Sequence, residues 1–404
     1  MQTHDELLKF YKELEENDVD QRSIMEWLLT PFFFVTSRIV PFALGLPFFQ
    51  NNLQHLDRSR HDFILRRMLV SATYPKYSHK TGVMSKDIET PSCTPGIENS
   101  SRFFLPRKII MEQSNKQNVN VKKKVPLMIF IHGGGWATLD CKTIIYTNLC
   151  ERFCNDLQIP VLSLNYRLAP EHPYPIPLDD CYATLKWLGT KDSIVEIPEY
   201  INREKLIVCG DSAGGNLTAA ISLKHVDNKI PGINIILQIP IYPCFFKRPL
   251  TNSRTNKYLR YVTIVSQQMM NQYENLYKPV DIDEAVFSKM KYVNCESASN
   301  LDDPNLPATI GIVAGGDVLR DEGISYFEKL KSVGVQQVKY KIFPNAPHAF
   351  LAIPDVGSTD SKNAKKYIIQ SILEFLNGDK HVNGSSSTSS ADVGALEEDI
   401  QSKL

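Results

Sequence analysis

The chain has 404 residues, enough for one large domain with additions or for two domains. Its hydrophobic fraction of 43% and charged fraction of 22% are ordinary for a globular protein. The 45 basic and 45 acidic side chains cancel, so nothing favours a polyanion-binding surface, and nucleic acid is not an expected partner.

Residues 1–110 carry separate apolar segments in a polar background and are predicted to form an N-terminal helical or cap region. The first 23 residues are polar and acidic, so no secretory signal peptide is expected there. Residues 27–49 form an apolar stretch of 23 residues, long enough to span a bilayer. Three prolines within it, and Arg38 near its centre, oppose a single spanning helix. Three interpretations stay open: a spanning anchor, an interfacial hydrophobic hairpin, or an apolar cap packed over an active site.

Residues 111–378 are predicted to form the catalytic domain. Six short apolar runs rich in Val and Ile predict strands that are covered on both faces, at residues 127–132, 161–166, 206–210, 235–242, 308–315 and 338–343. Helical periodicity lies between these runs, and the last predicted helix covers about residues 362–376. Strands that alternate with helices predict an α/β fold with a mostly parallel central sheet flanked by helices.

Two segments depart from this alternation. Residues 245–300 place a polar, aromatic stretch between two predicted strands, which is the position of a cap insertion. Residues 379–404 are Ser-rich and of low complexity, so a disordered tail is predicted there.

A serine motif follows the third predicted strand. Residues 210–215 read Gly-Asp-Ser-Ala-Gly-Gly. Gly-x-Ser-x-Gly between a strand and a helix is the sequence form of a nucleophile elbow, a tight turn in which the glycines avoid a clash and the serine hydroxyl is exposed. The pattern also occurs in glycine-rich loops, but the strand before it and the helix-forming residues 216–221 supply the required context. Ser212 is therefore predicted to be a nucleophile, and Asp211 to support the elbow or orient the substrate.

A serine hydroxyl needs a base to take its proton and an acid to orient that base. Asp317 follows the fifth predicted strand and His348 follows the sixth, so both would lie at the same edge of a parallel sheet as Ser212. The order serine, acid, histidine along the chain is that of α/β hydrolases. Competing bases and acids lie in the same motifs or near them: His132, His172, Asp302, Asp321 and Glu322.

Acyl transfer also needs donors for the developing oxyanion. Residues 132–136 read His-Gly-Gly-Gly-Trp and follow the first predicted strand. Consecutive glycines let backbone N–H groups turn toward one point and approach a substrate closely. The N–H groups of Gly133 and Gly134, joined by that of Ala213, are predicted to form the oxyanion hole. The alternative is a simple glycine turn.

The eight cysteines contain no Cys-x-x-Cys pair, so a zinc site is not expected. Mostly buried, reduced thiols are predicted, with one or two disulfides in an oxidising compartment as the alternative. Neither a metal nor an organic cofactor is expected. Asn99-Ser100-Ser101 is a candidate glycosylation site, should this part of the chain face a lumen.

Four motifs together resemble the hormone-sensitive lipase family of α/β hydrolases. They are the two glycine-rich motifs above, Asn-Tyr-Arg-Leu-Ala-Pro-Glu at residues 165–171, and Asp-Val-Leu-Arg-Asp-Glu-Gly at residues 317–323. Val318 stands where a proline is usual, and Ala349 replaces a common glycine, but neither change removes a catalytic atom. The resemblance covers roughly residues 125–376. It implies a triad of Ser212, Asp317 and His348, and a helical cap built from the N-terminal region and residues 245–300.

Within that family, the apolar segment 27–49 makes the chain most similar to the arylacetamide deacetylase and steryl acetyl hydrolase branch. This resemblance implies hydrolysis of a short acyl group, such as acetyl, from a large apolar alcohol or amine. It also implies association with the endoplasmic reticulum membrane through that segment, with a cytoplasmic location as the alternative. Two other functions stay open: a longer-chain lipase, and a non-catalytic binding protein. Plant gibberellin receptors resemble the hydrolases but have lost the catalytic histidine, whereas His348 is present here.

Overall fold

The computed structural model describes residues 81–109, 124–246, 267–352 and 358–382, together with Ser78 and Val265. Its strands are β1 (Met84–Pro91), β2 (Glu98–Leu105), β3 (Val125–Ile131), β4 (Val161–Leu164), β5 (Ile201–Asp211), β6 (Ile235–Ile241), β7 (Ala308–Gly316) and β8 (Val338–Pro347). Its helices are α1 (Ile144–Leu157), α2 (Ile176–Leu188), α3 (Ala213–Asp227), α4 (Gln267–Tyr277), α5 (Glu284–Phe287), α6 (Arg320–Ser332) and α7 (Thr359–Val382). The apolar segment 27–49 and residues 383–404 lie outside the described residues.

All eight strands join in one sheet, in the order β1-β2-β4-β3-β5-β6-β7-β8. The β1–β2 and β2–β4 pairs are antiparallel, and the remaining pairs are parallel. The predicted mostly parallel sheet is therefore confirmed, and each of the six predicted strands is present. The parallel strands direct their C-terminal ends to one edge of the sheet, where ligands bind in open α/β sheets.

The sheet is buried on both faces by helices. Neighbouring residues of a strand point to opposite faces, so Leu127 and Ile129 of β3 pack with α2, α3 and α6, whereas Met128 and Phe130 pack with α1 and α7. These four side chains are 0% exposed. Burial on both sides explains why the parallel strands are apolar throughout rather than alternating.

The prediction of a helical region over residues 1–110 is wrong for residues 84–105, which form the hairpin of β1 and β2. These strands are rich in polar residues, so they lack the apolar runs that identified the others. Buried polar side chains in this hairpin pair with one another: Thr90 and Ser101 share a hydrogen bond of 2.9 Å, and Arg102 donates to Asp87 at 2.7 Å. The sheet therefore includes this hairpin, and the domain predicted from residue 111 begins before that residue.

The segment predicted as a cap insertion, residues 245–300, contains α4, α5 and a short 3-10 helix, Cys295–Ser297. Helix α4 packs against the loop that follows β3, because a Cβ placed on Gly135 would lie 2.3 Å from the ring of Tyr273. The described part of this segment thus lies against the edge of the sheet where β3 ends.

Helix α7 is longer than predicted and continues through Gly378 to Val382. The tail predicted from residue 379 therefore begins at least four residues later. A single glycine lowers helix propensity by about 1 kcal/mol but does not by itself end a helix.

No helix among the described residues is long and apolar enough to cross a membrane.

The cysteines carry free thiols in this structure, and all except the half-buried Cys93 are buried, which confirms that the thiols are mostly buried. Asn99 lies within β2 and is 7% exposed. Its side-chain amide nitrogen is buried, so the candidate glycosylation site does not present an accessible acceptor in the folded protein.

Candidate active site

Three of the predicted site residues directly follow strand ends at the same edge of the sheet. Ser212 follows β5, Asp317 follows β7, and His348 follows β8. The glycine loop, residues 132–136, follows β3, which lies beside β5 in the sheet. Parallel strands thus bring four distant segments of the chain together.

Ser212 sits in a strained turn between β5 and α3. Its backbone has φ 56° and ψ −120°, in a region that residues with a side chain rarely adopt. The turn is also tight: a Cβ on Gly210 would lie 2.4 Å from the carbonyl oxygen of Gly214, and one on Gly214 would lie 2.1 Å from that of Ile131. Only glycine fits at these two positions, which explains the elbow pattern in physical terms.

The three side chains form a continuous hydrogen-bonded series. His348 Nε2 lies 2.8 Å from Ser212 Oγ, and His348 Nδ1 lies 2.5 Å from Asp317 Oδ2. Asp317 Oδ1 also accepts the backbone N–H of Leu319 at 3.0 Å. Ser212 is 8% exposed, His348 3% and Asp317 0%. The carboxylate is therefore fixed and shielded from water, and it holds the imidazole with its other nitrogen toward the serine.

The electrostatic environment of His348 stabilises its protonated form. Burial of the imidazole opposes a charge and lowers its pKa, but the Asp317 carboxylate, followed by Asp211 and Glu322, outweighs burial and raises the pKa of His348 above its ordinary value. An imidazole in this setting is a stronger base than a histidine in water. It can accept a proton from Ser212 and keep the resulting charge next to Asp317.

The prediction of Gly133 as an oxyanion donor is wrong. Its N–H donates to Asp211 Oδ1 and to the Tyr146 hydroxyl, each at 2.9 Å, and is therefore already occupied inside the protein. Three consecutive glycines are the sequence signal for such a loop, but they do not reveal which N–H groups face the substrate.

The next two N–H groups of the loop have no such partner. Within the described part of the chain, the N–H groups of Gly134, Gly135 and Ala213 meet no acceptor. Gly134 and Gly135 adopt φ values of 105° and 60°, which favour glycine. Ala213 is the first residue of α3, where an N–H has no partner within the helix. Gly135 was not among the predicted residues, and it joins Gly134 and Ala213 as a candidate donor.

The competing acids and bases make other contacts. His132 Nδ1 bonds to the Gly133 carbonyl oxygen at 2.8 Å. Glu322 accepts the backbone N–H of Phe245 at 2.9 Å. Asp321 pairs with the neighbouring Arg320, and Asp302 is exposed. No hydrogen bond between any of these side chains and His348 occurs in the described structure.

Aromatic side chains fill the space behind the glycine loop. Trp136 stacks on Tyr277 at 4.4 Å and contacts Phe246 at 5.0 Å, and Phe246 meets Phe287 edge-on at 5.3 Å. All four are buried. This aromatic cluster links the loop after β3 to the segment between β6 and β7, and no sequence pattern identified it.

No group of three or more His, Cys, Asp or Glu side chains in the described residues is arranged to hold a metal ion.

The family model for the alpha/beta hydrolase fold matches residues 128–352. The chain is 32% identical over 249 residues to the carboxylic ester hydrolase LipN of Mycobacterium tuberculosis, with 60% of this chain and 62% of that protein covered. It is 28% identical over 235 residues to the gibberellin receptor GID1A of Arabidopsis thaliana, with 57% and 64% covered. The chain thus covers less than two thirds of either relative's length.

Arylacetamide deacetylase of the rabbit, Oryctolagus cuniculus, is 27% identical over 286 residues, with 56% of this chain and 71% of that protein covered. Among solved structures, an esterase of the archaeon Pyrobaculum calidifontis superposes with a TM-score of 0.59 at 26% identity, covering 78% of this chain and 88% of that one. The strand order, the elbow and the family match agree, and the chain belongs to the hormone-sensitive lipase-like family of α/β hydrolases.

Proposed function

We propose that this protein is a serine carboxylic ester hydrolase that cleaves short-acyl esters of apolar alcohols through an acyl-enzyme. One observation carries the proposal: Ser212, His348 and Asp317 are hydrogen-bonded in series at a shielded strand edge. The similarity to LipN and to the Pyrobaculum esterase supports the same reaction class.

In the first half of the reaction, Ser212 Oγ attacks the ester carbonyl carbon while His348 Nε2 takes the hydroxyl proton. The carbonyl oxygen becomes an oxyanion, which the N–H groups of Gly134, Gly135 and Ala213 stabilise. His348 then gives the proton to the leaving alcohol as the C–O bond breaks. The product of this half is an ester between Ser212 and the acyl group.

In the second half, water replaces the alcohol. His348 Nε2 takes a proton from the water, whose oxygen attacks the acyl-serine carbonyl, and the same N–H groups stabilise the second oxyanion. The proton returns to Ser212 as the acyl group leaves as a carboxylic acid. Asp317 keeps the imidazole oriented throughout and stabilises its positive charge.

One comparison supports a short acyl group. Arylacetamide deacetylase, whose name denotes removal of an acetyl group, is a relative. A longer-chain lipase is the alternative that an acyl-length series separates.

The test is hydrolysis of p-nitrophenyl esters of increasing acyl length by the wild type and Ser212→Ala. Loss of the nucleophile should lower kcat by about a million-fold. Ser222→Ala is the matched control, because Ser222 is a buried serine on α3, the helix that follows Ser212, and its hydroxyl donates to the Thr218 carbonyl. An optimum at acetyl or butyryl supports the short-acyl proposal, and an optimum at long chains replaces it with a lipase.

A non-catalytic binding protein is the second candidate, because the gibberellin receptor GID1A is among the relatives. The hydrogen bond between His348 and Ser212 argues against it, since a pocket used only for binding does not need this pair. A wild-type protein without turnover on any ester of the series would favour this candidate.

We also propose that residues 27–49 attach the protein to the endoplasmic reticulum membrane. The support is the sequence alone, an apolar stretch of 23 residues with one charge, Arg38. The full chain should float with vesicles of phosphatidylcholine, whereas a variant without residues 27–49 should not. Equal flotation of both proteins would contradict the attachment.

A further inference from the structure

Asp211, the residue before the proposed nucleophile, is a buried carboxylate that contacts three separate elements. Its Oδ1 accepts the N–H of Gly133 at 2.9 Å. Its Oδ2 accepts the hydroxyl of Tyr146 on α1 and that of Tyr242 at the end of β6, each at 3.4 Å. Asp211, Tyr146 and Tyr242 are each 2% exposed. A buried carboxylate is costly unless it is fully hydrogen-bonded, so this cluster needs an explanation.

The hydrogen-bonded series at Ser212 does not supply that explanation. His348 already has a carboxylate partner in Asp317. Asp211 reaches His348 only indirectly, through the ring of Tyr242, which meets the imidazole edge-on at 5.0 Å. What Asp211 holds directly is the first glycine of the loop whose next two N–H groups face the proposed oxyanion.

The contacts on that loop show why an anchor matters. The peptide between Gly133 and Gly134 is held at its carbonyl oxygen by His132 Nδ1 at 2.8 Å. The Gly134 carbonyl accepts the N–H of Thr138 at 2.9 Å. Glycines have no side chains to restrict them, so the first peptide of the loop is held only through its backbone atoms. The His132 carbonyl accepts the Tyr166 hydroxyl at 2.8 Å, and the Gly133 N–H donates to Asp211 and Tyr146. Donors help only when they lie about 2.7–3.1 Å from the developing oxyanion.

We propose that Asp211 is a positioning residue that fixes the oxyanion loop through the Gly133 N–H. This proposal rests on the proposed esterase function. Asp211 acts on the reaction through Gly134 and Gly135 and does not touch the substrate. Its contribution is therefore to transition-state stabilisation and not to ground-state binding of the ester.

The charge of Asp211 has a second effect, on His348. The charged groups that act on the imidazole come from three elements: Asp317 after β7, which contacts it, and Asp211 at the end of β5 and Glu322 on α6, which act through their charge. Burial raises the pKa of Asp211 to about 6, against the opposing effect of the positive charge on His348 and of its hydrogen bonds. The negative charge of Asp211 favours the imidazolium form of His348, so removal of this charge should lower the pKa of His348.

The test compares Asp211→Ala, Asp211→Ser and Asp211→Asn on p-nitrophenyl acetate. Alanine removes the carboxylate acceptor and serine is too short to reach Gly133, so the Gly133 N–H keeps only the Tyr146 hydroxyl. Both variants should lose about 100-fold in kcat with KM within about threefold. Affinity for an aryl trifluoromethyl ketone, which forms an oxyanion on the serine, should fall by the same factor. Asparagine keeps an acceptor without the charge, so kcat should stay within about tenfold of the wild type. The acidic limb of its kcat/KM profile should move to lower pH.

The matched control for lost charge is Asp227→Asn, because Asp227 pairs with Lys291 outside the site. It should leave the acidic limb in place. Unchanged ketone affinity in the folded alanine and serine variants would overturn the proposal. If neither variant folds, Asp211→Asn decides: because asparagine keeps an oxygen that accepts from Gly133, an approximately 100-fold loss of its ketone affinity would overturn the proposal instead. Because the wild type and Ser212→Ala are measured in the same assay, an inactive wild type would indicate failure of the esterase proposal, and not of the role of Asp211.

Discussion

The Nδ1 atom of His348 lies 2.5 Å from Oδ2 of Asp317, and both side chains are almost fully buried. In this position the carboxylate decides which nitrogen of the imidazole carries the proton, because an ionised carboxylate can only accept. Nε2 is then free to accept from Ser212. The same contact stabilises the imidazolium that forms when the serine attacks.

The pH dependence of activity should follow the raised pKa of His348. The base works only when it is neutral, so kcat/KM should rise with pH along an acidic limb with a midpoint above 6.5, the ordinary value for histidine. Asp317→Asn removes the main charge that raises this pKa, so the limb should move to lower pH while kcat falls by about 10,000-fold. A pH series on p-nitrophenyl acetate measures both effects, and a limb at or below the ordinary value in the wild type would contradict the assignment.

The corrected oxyanion hole makes a prediction about Gly135. Gly135→Ala adds a Cβ at a φ of 60°, where it would lie 2.3 Å from the Tyr273 ring. The loop or α4 must shift, and kcat should fall by about 100- to 1,000-fold if a donor is displaced. Gly96→Ala is the matched control, because Gly96 also has a positive φ, 78°, but its Cβ would meet nothing within 4 Å. Equal activity of the two variants would argue against Gly135 as a donor.

The sequence predicted the parallel part of the fold and the hydrogen-bonded series of Ser212, His348 and Asp317 for a common physical reason. Strands buried on both faces are continuous apolar runs, and the functional residues follow the ends of those runs. The sequence did not predict the β1–β2 hairpin, because its buried positions include polar residues such as Ser101 and Arg102. These residues find hydrogen-bond partners only in the folded sheet.

The sequence did not predict the contact between Gly133 and Asp211, for a related reason. Which N–H of three successive glycines faces outward depends on a contact between segments 78 positions apart in the chain. Tyr146 and Tyr242, which complete that contact, lie in a helix and at a strand end with no motif around them. Local patterns predict where a loop lies, but not which of its N–H groups are already hydrogen-bonded to other parts of the protein.

Ala349, which replaces a glycine that is common in the family, should carry measurable strain. Its φ is 60°, in the left-handed region, where a Cβ costs about 1–2 kcal/mol. Ala349→Gly relieves this strain but adds entropy to the unfolded chain, so the free energy of unfolding should rise by no more than about 1 kcal/mol. Urea denaturation measures the change. A decrease in stability would show that the alanine methyl group contributes more through packing than it costs in the backbone.

The loss of buried Asp180 from its ion pair with half-buried Arg167 should destabilise the fold. Asp180 is 0% exposed and accepts the Arg167 guanidinium at 2.8 Å, the Arg167 backbone N–H at 3.1 Å and the Cys93 backbone N–H at 2.9 Å. It thereby ties the β1–β2 turn and the loop after β4 to α2. Asp180→Ala leaves the guanidinium and both N–H groups without this partner, and should cost about 3–5 kcal/mol in urea denaturation.

The pH dependence of that stability has a definite sign. Burial raises the pKa of Asp180, but the Arg167 side chain and the two backbone N–H groups outweigh burial and lower it below its ordinary value. A carboxyl group with a lower pKa in the folded state stabilises the fold above its unfolded pKa of about 3.9, and this contribution is lost as the pH falls through the folded pKa. The stability difference between wild type and Asp180→Asn should therefore be full at pH 7 and shrink below about pH 4. A difference that stays constant down to pH 2 would mean that the asparagine loses packing or hydrogen bonds rather than charge.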